Sequence, residues 1–211
     1  MVAIKNGDFV ELDFVGRIKS TGQIFDLTVE DVAKKEGIAD DRSFEPMIAC
    51  VGSGHLIQGF DEQITGKEIG SELEFDLPAE KGFGRKNPKL IQLTSLAMFK
   101  KRNIHPVPGI QLNIDGTLAT VRSVSGGRVI LDFNHPLAGK ELHYWVKIRK
   151  IITDTKKKAE SLVSILNIPA DVSITGNNVS LKLKEDTPKE MQDVISEQFK
   201  NNLPELKLSF K

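Results

Sequence analysis

Residues 51–60 have the sequence Val51-Gly52-Ser53-Gly54-His55-Leu56-Ile57-Gln58-Gly59-Phe60. A strand-like end runs into Gly-Ser-Gly, a turn in which backbone freedom matters more than side-chain packing. The apolar residues that follow, Leu56, Ile57 and Phe60, have the spacing of one short helical face. A plain amphipathic helix would not need so many glycines. The stretch therefore predicts a turn and a short helix whose backbone comes close to another group.

Two further stretches support one interpretation of the first. They are Gly22-Gln23-Ile24-Phe25-Asp26 and Asn134-His135-Pro136-Leu137-Ala138-Gly139-Lys140. Taken in chain order, the three stretches resemble motifs of the FKBP-type peptidyl-prolyl isomerases: G-x-x-F-D, G-x-G-x-(L/V)-I-x-G-(W/F/L) and N-H-x-L-A-G-K. The third motif is typical of the SlyD-like branch. Over its whole length the chain most resembles the long-type archaeal members, which carry an inserted flap domain and a C-terminal extension.

The composition is that of an ordinary globular chain. Its 211 residues are 39% hydrophobic and 27% charged, with a net charge of zero. The apolar runs are far shorter than a membrane span, and the N-terminus lacks a signal-peptide core. Cys50 is the single cysteine, so no internal disulfide can form. These features argue against a helical membrane protein and predict a cytoplasmic location.

Charge is distributed unevenly along the chain. Residues 1–85 carry 9 Lys and Arg against 17 Asp and Glu, whereas residues 86–134 carry 7 against 2. This change of sign predicts that 86–134 is a separate unit. We therefore predict three domains: an isomerase domain made of 1–85 and 135–154, an inserted flap domain of 86–134, and a C-terminal domain of 155–211.

Alternation of apolar and polar residues predicts the strands. It is clear in 8–18, in 72–77 and again in 142–148, so the sheet interrupted by the insert resumes after it. Ser125-Gly126-Gly127 predicts a hairpin inside the insert. From about residue 155 the order is helix, strand, strand, helix, strand. The expected fold class is α+β: an FKBP-like antiparallel sheet wrapped on a short helix, a small β-rich insert, and a C-terminal αββαβ domain.

The predicted site is an apolar pocket, because the twisted transition state of a prolyl amide is less dipolar than the planar amide. No nucleophile, metal or cofactor is required, and the four histidines show no metal-ligand spacing. The candidates for the pocket walls are Phe14, Phe25, Met47, Val51, Leu56, Ile57, Phe60, Phe83 and Tyr144, together with Asp26. From spacing alone, the residues on strands are more often plain core, and Asp26 is more often a turn cap.

The resemblance implies roles for the catalytic candidates, which are Asp26, Ile57, Phe60, Phe83 and Tyr144. The Ile57 N–H would bond a substrate carbonyl, Phe60 would lie under the proline ring, and Asp26 would face the prolyl amide. Truncation of Asp26 or Phe60 to alanine is expected to remove activity with little unfolding.

Four positions depart from residues that are common in the family. Phe83 stands where Tyr is frequent, so a hydroxyl that donates to substrate is absent. The loss of that one hydrogen bond should weaken substrate binding by about 0.5–1.5 kcal/mol. Phe14 replaces another frequent Tyr, and Met47 and Ala49 stand where small members commonly have Phe. We expect a less aromatic and more open pocket, with weaker catalysis and weaker binding of macrolide inhibitors.

The insert supplies apolar residues that could hold unfolded or proline-containing client chains, as in the SlyD-like branch. The candidates for this contact are Leu96, Met98 and Phe99. Alternatively, these residues fill the insert's own core. A different function is that of a non-catalytic holdase or assembly factor, which the departures at Phe83 and Met47 favour. Nucleic-acid binding by the basic insert is disfavoured, because Phe99 and Phe133 are its only aromatic residues. The apolar end of the C-terminal domain predicts a homodimer.

Overall fold

The computed structural model describes residues 2–38, 44–184 and 187–210, and the chain divides into two compact units. The first unit combines the residues up to Leu77 with those from Leu142 onward, and the second spans Pro78–Glu141. The second unit therefore encloses the predicted insert, 86–134, and the segments that lead into and out of it. A separate C-terminal domain from residue 155 stays a prediction, since those residues belong to the first unit.

Strands predominate among the described residues, and the helices between them are short. In chain order the elements are β1 Phe9–Ile18, β2 Ile24–Leu27, α1 Glu30–Lys35, β3 Met47–Cys50, α2 Gln58–Ile64, β4 Glu72–Leu77, β5 Ile91–Ser95, α3 Leu96–Lys101, β6 Gln111–Ile114, β7 Thr117–Ser125, β8 Arg128–Asp132, β9 Leu142–Ile151, α4 Thr155–Ile165, β10 Ala170–Thr175, β11 Asn178–Leu183, α5 Lys189–Asn202 and β12 Lys207–Phe210. Antiparallel sheets with few helices confirm the predicted α+β class.

A five-stranded antiparallel sheet forms the centre of the first unit. Its strands lie in the order β2-β1-β9-β4, and β3 pairs with the N-terminal half of β1. Because side chains alternate along a strand, Val10, Leu12 and Phe14 share one face of β1. Phe14 pairs with Val146 of β9 on that face and contacts Phe60 of α2. The sheet therefore packs on the short helix, and β9 completes it after the insert, as the alternation predicted.

The residues after 155 cover the opposite face of the sheet at one end. They form a three-stranded sheet, β10-β11-β12, in which β12 runs parallel to β11. Their hydrophobic cluster, which we call the tail core, includes Phe9 of β1 and Cys50 of β3, both with 0% exposure. Its other fully or nearly fully buried members are Ile152, Ala159, Leu162, Val163, Val179, Leu181, Ile195, Phe199 and Leu203. The C-terminal residues are thus joined to the five-stranded sheet by a shared core.

The second unit is a four-stranded sheet, β5-β8-β7-β6, with α3. Strands β7 and β8 form the hairpin predicted from Ser125-Gly126-Gly127. Its small core consists of Phe99, Ala119, Val121, Val129 and Leu131.

Two segments, 83–87 and 132–139, lead into and out of this sheet and are bonded to each other; we call them the neck. The Asn134 Oδ1 accepts the Asn87 N–H at 2.7 Å, and the Asn134 Nδ2 donates to the Asn87 carbonyl at 3.1 Å and to the Asp132 Oδ1 at 2.7 Å. Asn134 and Asp132 are buried. The N-H-x-L-A-G-K motif therefore begins with a residue that fastens the two ends of the second unit together.

Asp132→Asn is expected to destabilise the second unit at neutral pH. Burial by itself would raise the pKa of the Asp132 carboxyl, but the bonds from Lys86 and Asn134 bring it down from 3.8 to about 2. The ionised carboxylate therefore contributes about 2 kcal/mol to stability above pH 3.8, and this contribution is lost as the pH falls through about 2. Urea unfolding of the second unit in wild-type and variant chains at neutral and strongly acidic pH measures the difference.

The matched control is Asp115→Asn. The Asp115 side chain is 78% exposed, and its Oδ1 lies 3.3 Å from the Arg102 guanidinium, so the ion pair is well solvated. That substitution should change stability by less than about 0.5 kcal/mol. Equal losses in the two variants at neutral pH would contradict the assigned role of Asp132.

Candidate active site

Five aromatic rings from five elements meet on the helix-facing side of the main sheet. This ring cluster consists of Phe14, Phe25, Phe60, Phe75 and Tyr144. The Phe60 ring meets Tyr144, Phe75 and Phe14 edge-on, with centroid separations of 5.1, 5.5 and 6.3 Å. Edge-to-face pairs at these separations are favourable. The fold thus brings together four of the predicted site residues, on β1, β2, α2 and β9.

Sequence reasoning missed Phe75, a member of this cluster, and Gly16, which lies beside it. Phe75 stacks on Tyr144 at 5.8 Å, and the alternation in β4 does place it on the same face as Leu77. A Cβ added to Gly16 would meet the Phe25 ring at 2.6 Å and the Tyr144 ring at 3.0 Å. Gly16 therefore leaves the space in which these two rings pack, a requirement that spacing in the sequence could not reveal.

Asp26 and Tyr144 bring polar groups to the cluster, because Asp26 follows Phe25 on β2 and its charge acts on the Tyr144 phenol. The Asp26 Oδ1 accepts the Leu27 N–H at 2.9 Å. Burial raises the pKa of the Tyr144 phenol, and the negative charge of Asp26 raises it further. The phenol consequently stays protonated at any physiological pH and can donate a hydrogen bond. The site thus offers one neutral donor and one carboxylate among apolar walls.

Ile57 precedes α2 and has one unused backbone donor. Its carbonyl accepts the N–H groups of Phe60 and Asp61 at 2.9 and 3.2 Å. Its own N–H donates to no acceptor among the residues that the structure describes. Ile57 is half-buried, and its unused N–H could bond a ligand carbonyl.

The remaining candidates of the first unit differ in exposure. Leu56 is partly exposed and lines a shallow cavity of about 600 Å³ beside Asp61. Met47 is partly exposed and pairs with Leu12, on the face that carries Phe14. Val51 is 0% exposed, and its contact with substrate stays a prediction.

The other candidates lie in the second unit. The Phe83 ring stacks on His135 with centroids 4.4 Å apart and planes 1° apart, which joins the two segments of the neck. Leu96 packs against the small core of the second unit, and Phe99, 4% exposed, belongs to it. Met98 is 53% exposed. Leu96 and Phe99 thus fit the alternative that these residues fill the insert's own core. Met98 fits it less well, because half of its side chain is exposed.

Residues 2–38, 44–184 and 187–210 contain neither a metal-ligand cluster nor a membrane-spanning helix. No three His, Cys, Asp or Glu side chains in these ranges lie close enough to hold a metal ion. No helix in them is both long and apolar enough to cross a membrane. Three of the histidines have local partners. The His55 Nδ1 accepts the Cys50 N–H and the His135 Nδ1 accepts the Leu137 N–H, each at 3.2 Å, and the His143 Nδ1 lies 2.8 Å from the Asp76 Oδ1.

Comparison with protein families gives two matches. The profile described as FKBP-type peptidyl-prolyl cis-trans isomerase matches residues 2–100. The profile described as FKBP26, IF domain, matches residues 92–137, which fall within the second compact unit.

Individual relatives cover the chain to different extents. The short-type peptidyl-prolyl cis-trans isomerase of Methanocaldococcus jannaschii is 38% identical over 149 residues, 70% of this chain and 94% of that protein. The FKBP-type 16 kDa peptidyl-prolyl cis-trans isomerase of Escherichia coli K12 is 28% identical over 131 residues, 60% of this chain and 87% of that protein. The FKBP-type isomerase SlyD of Haemophilus influenzae is 26% identical over 132 residues, 56% of this chain and 64% of that protein.

Proposed function

Because the chain belongs to the FKBP-type peptidyl-prolyl cis-trans isomerase family, we propose that its ring cluster is the active site and acts on X-Pro bonds of unfolded chains without a covalent step. The chain is an FKBP-type isomerase; the site, the mechanism and the clients are the proposal. The observation that carries it is the ring cluster, which joins five elements around one carboxylate and one phenol.

An apolar site can accelerate this reaction by differential solvation. The planar amide is held by resonance, with a barrier of about 18–20 kcal/mol to rotation. Rotation breaks the resonance and reduces the dipole, so a site walled by Phe14, Phe60 and Tyr144 disfavours the planar state more than the twisted one. No bond to the enzyme forms or breaks during the step.

The polar groups would then orient the substrate. In this proposal the Ile57 N–H bonds the carbonyl that follows the proline, and Phe60 supports the proline ring. Asp26 faces the amide that twists, and the protonated Tyr144 stabilises the Asp26 charge. The long-type assignment, with a flap and an extension, belongs to the same proposal and is supported by the IF-domain match.

We further propose that the second unit holds unfolded client chain. Its surface exposes large apolar side chains, among them Leu93, Val107, Met98 and Leu118, each more than half exposed. A cavity of about 190 Å³ opens beside Met98 and Phe99, and Ile104 and Phe133 also line it. Flexible methionine beside aromatic rings suits promiscuous contact with many sequences.

The alternative is a holdase whose pocket no longer turns over substrate. A protease-coupled assay on a proline tetrapeptide separates the two, because a holdase binds the peptide without isomerising it. Association of the second unit with nucleic acid is a third function, tested by the dependence of RNA binding on salt.

The proposed homodimer through the C-terminal residues rests on other side chains than the sequence suggested. The sequence suggested that the apolar Leu206, Leu208 and Phe210 meet a partner chain, but in the structure they pack against the tail core. Met191 and Val194, about half exposed and one turn apart on α5, are the apolar residues that a partner would cover.

Light scattering on the full chain is expected to give twice its 23.4 kDa. The double variant Met191→Glu, Val194→Glu should give the monomer mass, because two charges would have to be buried in the interface. Lys200→Glu, an exposed change on another face of α5, should remain dimeric. A monomeric wild-type chain would contradict the dimer.

A further inference from the structure

A groove runs along one edge of β3, the strand that carries Met47. Its volume is about 530 Å³, within the range of ligand sites in proteins. Its walls are residues 45–49, His55, and the Ser161, Ser164 and Ile165 side of α4. Among the described residues, β3 pairs with β1 and with no other strand. One edge of β3 is therefore covered by β1, and the other faces the groove.

The hydrogen-bonding groups on that edge can be assigned from the register. Phe9 of β1 lies opposite Cys50 of β3, but its carbonyl accepts the Ile152 N–H at 2.7 Å. The backbone hydrogen-bonding groups of Phe9 therefore point away from β3. The backbone N–H and C=O of Cys50 accordingly point away from β1, and its N–H donates to the His55 Nδ1 at 3.2 Å. Alternation gives Ile48 the same direction as Cys50. The N–H and C=O of Ile48 thus point to the groove, and no described residue bonds them.

His55 contributes a second unused donor. Because its Nδ1 accepts a hydrogen bond, the proton of the neutral ring lies on Nε2. Burial lowers the pKa of His55, so the ring is neutral at pH 7. The Nε2 atom is buried and has no hydrogen-bond partner among the described residues. An unsatisfied buried donor is unfavourable, but an acceptor in the groove reaches this one only if the His55 ring turns toward it.

We propose that the client chain beside the prolyl bond adds to β3 as an extended strand in this groove. Ile48 would exchange backbone hydrogen bonds with it. Strand addition of this kind draws its affinity from main-chain bonds and therefore tolerates many sequences. The inference rests on the proposed active site, since Met47 lies on the face of Phe14 and also lines the groove.

The lining favours a backbone carbonyl over a carboxylate as the acceptor. Glu45 is the one charged side chain among the described residues that line the groove, so no cation is present for an anionic end group. A neutral, extended segment of polypeptide fits this charge better than a free carboxyl terminus does.

The first test fills the groove. Ser164 is exposed on α4, and Ser164→Trp places an indole between α4 and β3. The substrates are a proline tetrapeptide and a peptide of about 12 residues around the same sequence, long enough at roughly 3.3 Å per residue to run along β3. The variant should raise KM for the long peptide about tenfold, which corresponds to the loss of one or two hydrogen bonds. The KM for the tetrapeptide should stay unchanged. Glu197→Trp, exposed on α5 outside the groove, should change neither.

The second test follows one backbone amide. Hydrogen exchange of the Ile48 N–H in the full chain should slow when the long peptide is added and stay unchanged with the tetrapeptide. Ala49 is the internal control, because its N–H already bonds to β1. Unchanged exchange at Ile48, together with an unchanged KM in Ser164→Trp, would overturn the inference. Protection of the Ile48 N–H that depends on protein concentration alone would also overturn it, because a second copy of the chain would then occupy the edge of β3. If the wild-type chain turns over neither peptide, the active-site proposal fails, and exchange at Ile48 still decides for or against the groove.

Discussion

Asp26→Asn is expected to lower kcat/KM for a proline tetrapeptide roughly 10- to 100-fold while the fold stays intact. Asparagine keeps an oxygen for the Leu27 N–H but removes the charge that faces Tyr144 and the proposed amide position. Loss of one hydrogen bond to a charged group is worth about 1.5–3 kcal/mol, which gives a rate effect of this size. Asp26→Ala should have at least the same effect on activity.

The assay is the protease-coupled one, accompanied by thermal unfolding of each variant. Asp76→Asn serves as the control, because Asp76 is an exposed carboxylate in the same unit that pairs with Lys19 and His143. It should retain full activity. If Asp26→Asn and Asp26→Ala both keep wild-type activity and stability, the carboxylate has no part in the reaction and the pocket lies elsewhere.

Phe60 shows why the structure changes one expectation. The sequence predicted that Phe60→Ala would remove activity with little unfolding. Phe60 is 2% exposed and contacts three other rings, so its truncation should cost about 3–5 kcal/mol of stability. A loss of activity in that variant would therefore say little about catalysis, whereas the half-buried Asp26 separates the two effects.

Deleting residues 88–133 and joining Asn87 to Asn134 through a short turn is expected to slow catalysed refolding of a proline-limited protein about 100-fold. A client held by the second unit keeps its prolyl bonds at a high effective concentration, and tethering of this kind raises avidity by about 10²–10⁴. Turnover of a tetrapeptide, which is too short to be held, should stay within about twofold. The junction keeps the Asn87–Asn134 bonds, which the sequence-based boundaries of 86–134 would remove.

A full-length variant tests the same idea without a deletion. Leu93→Glu with Met98→Glu places charges on the exposed apolar surface of the second unit, and Thr117→Glu is the control on an exposed polar position. Refolding activity should fall in the double variant alone. Equal losses on tetrapeptide and protein after the deletion would mean that the insert forms part of the pocket and does not act by holding clients.

The sequence predicted the sheet and most of the ring cluster because both depend on local patterns. Alternation of period two assigns Phe14 and Tyr144 to a face, and a short motif assigns Phe60 to a helix. It could not show that Phe75 completes the cluster or that Gly16 leaves room for Phe25, since these contacts depend on register between strands far apart in the chain. Phe9 is a similar case: alternation placed it on the other face, but its partners lie more than a hundred residues later in the tail core.

The tail core also has a consequence for synthesis. Phe9 belongs to it, and Phe210 of the last strand packs against it. At a translation rate of about 5–20 residues per second, the ribosome needs roughly 10–40 s to make the intervening stretch. During that interval the side of β1 that carries Phe9 lacks its covering. The nascent chain then exposes the kind of apolar surface that folding helpers bind, so this isomerase is itself expected to need protection while it is being made.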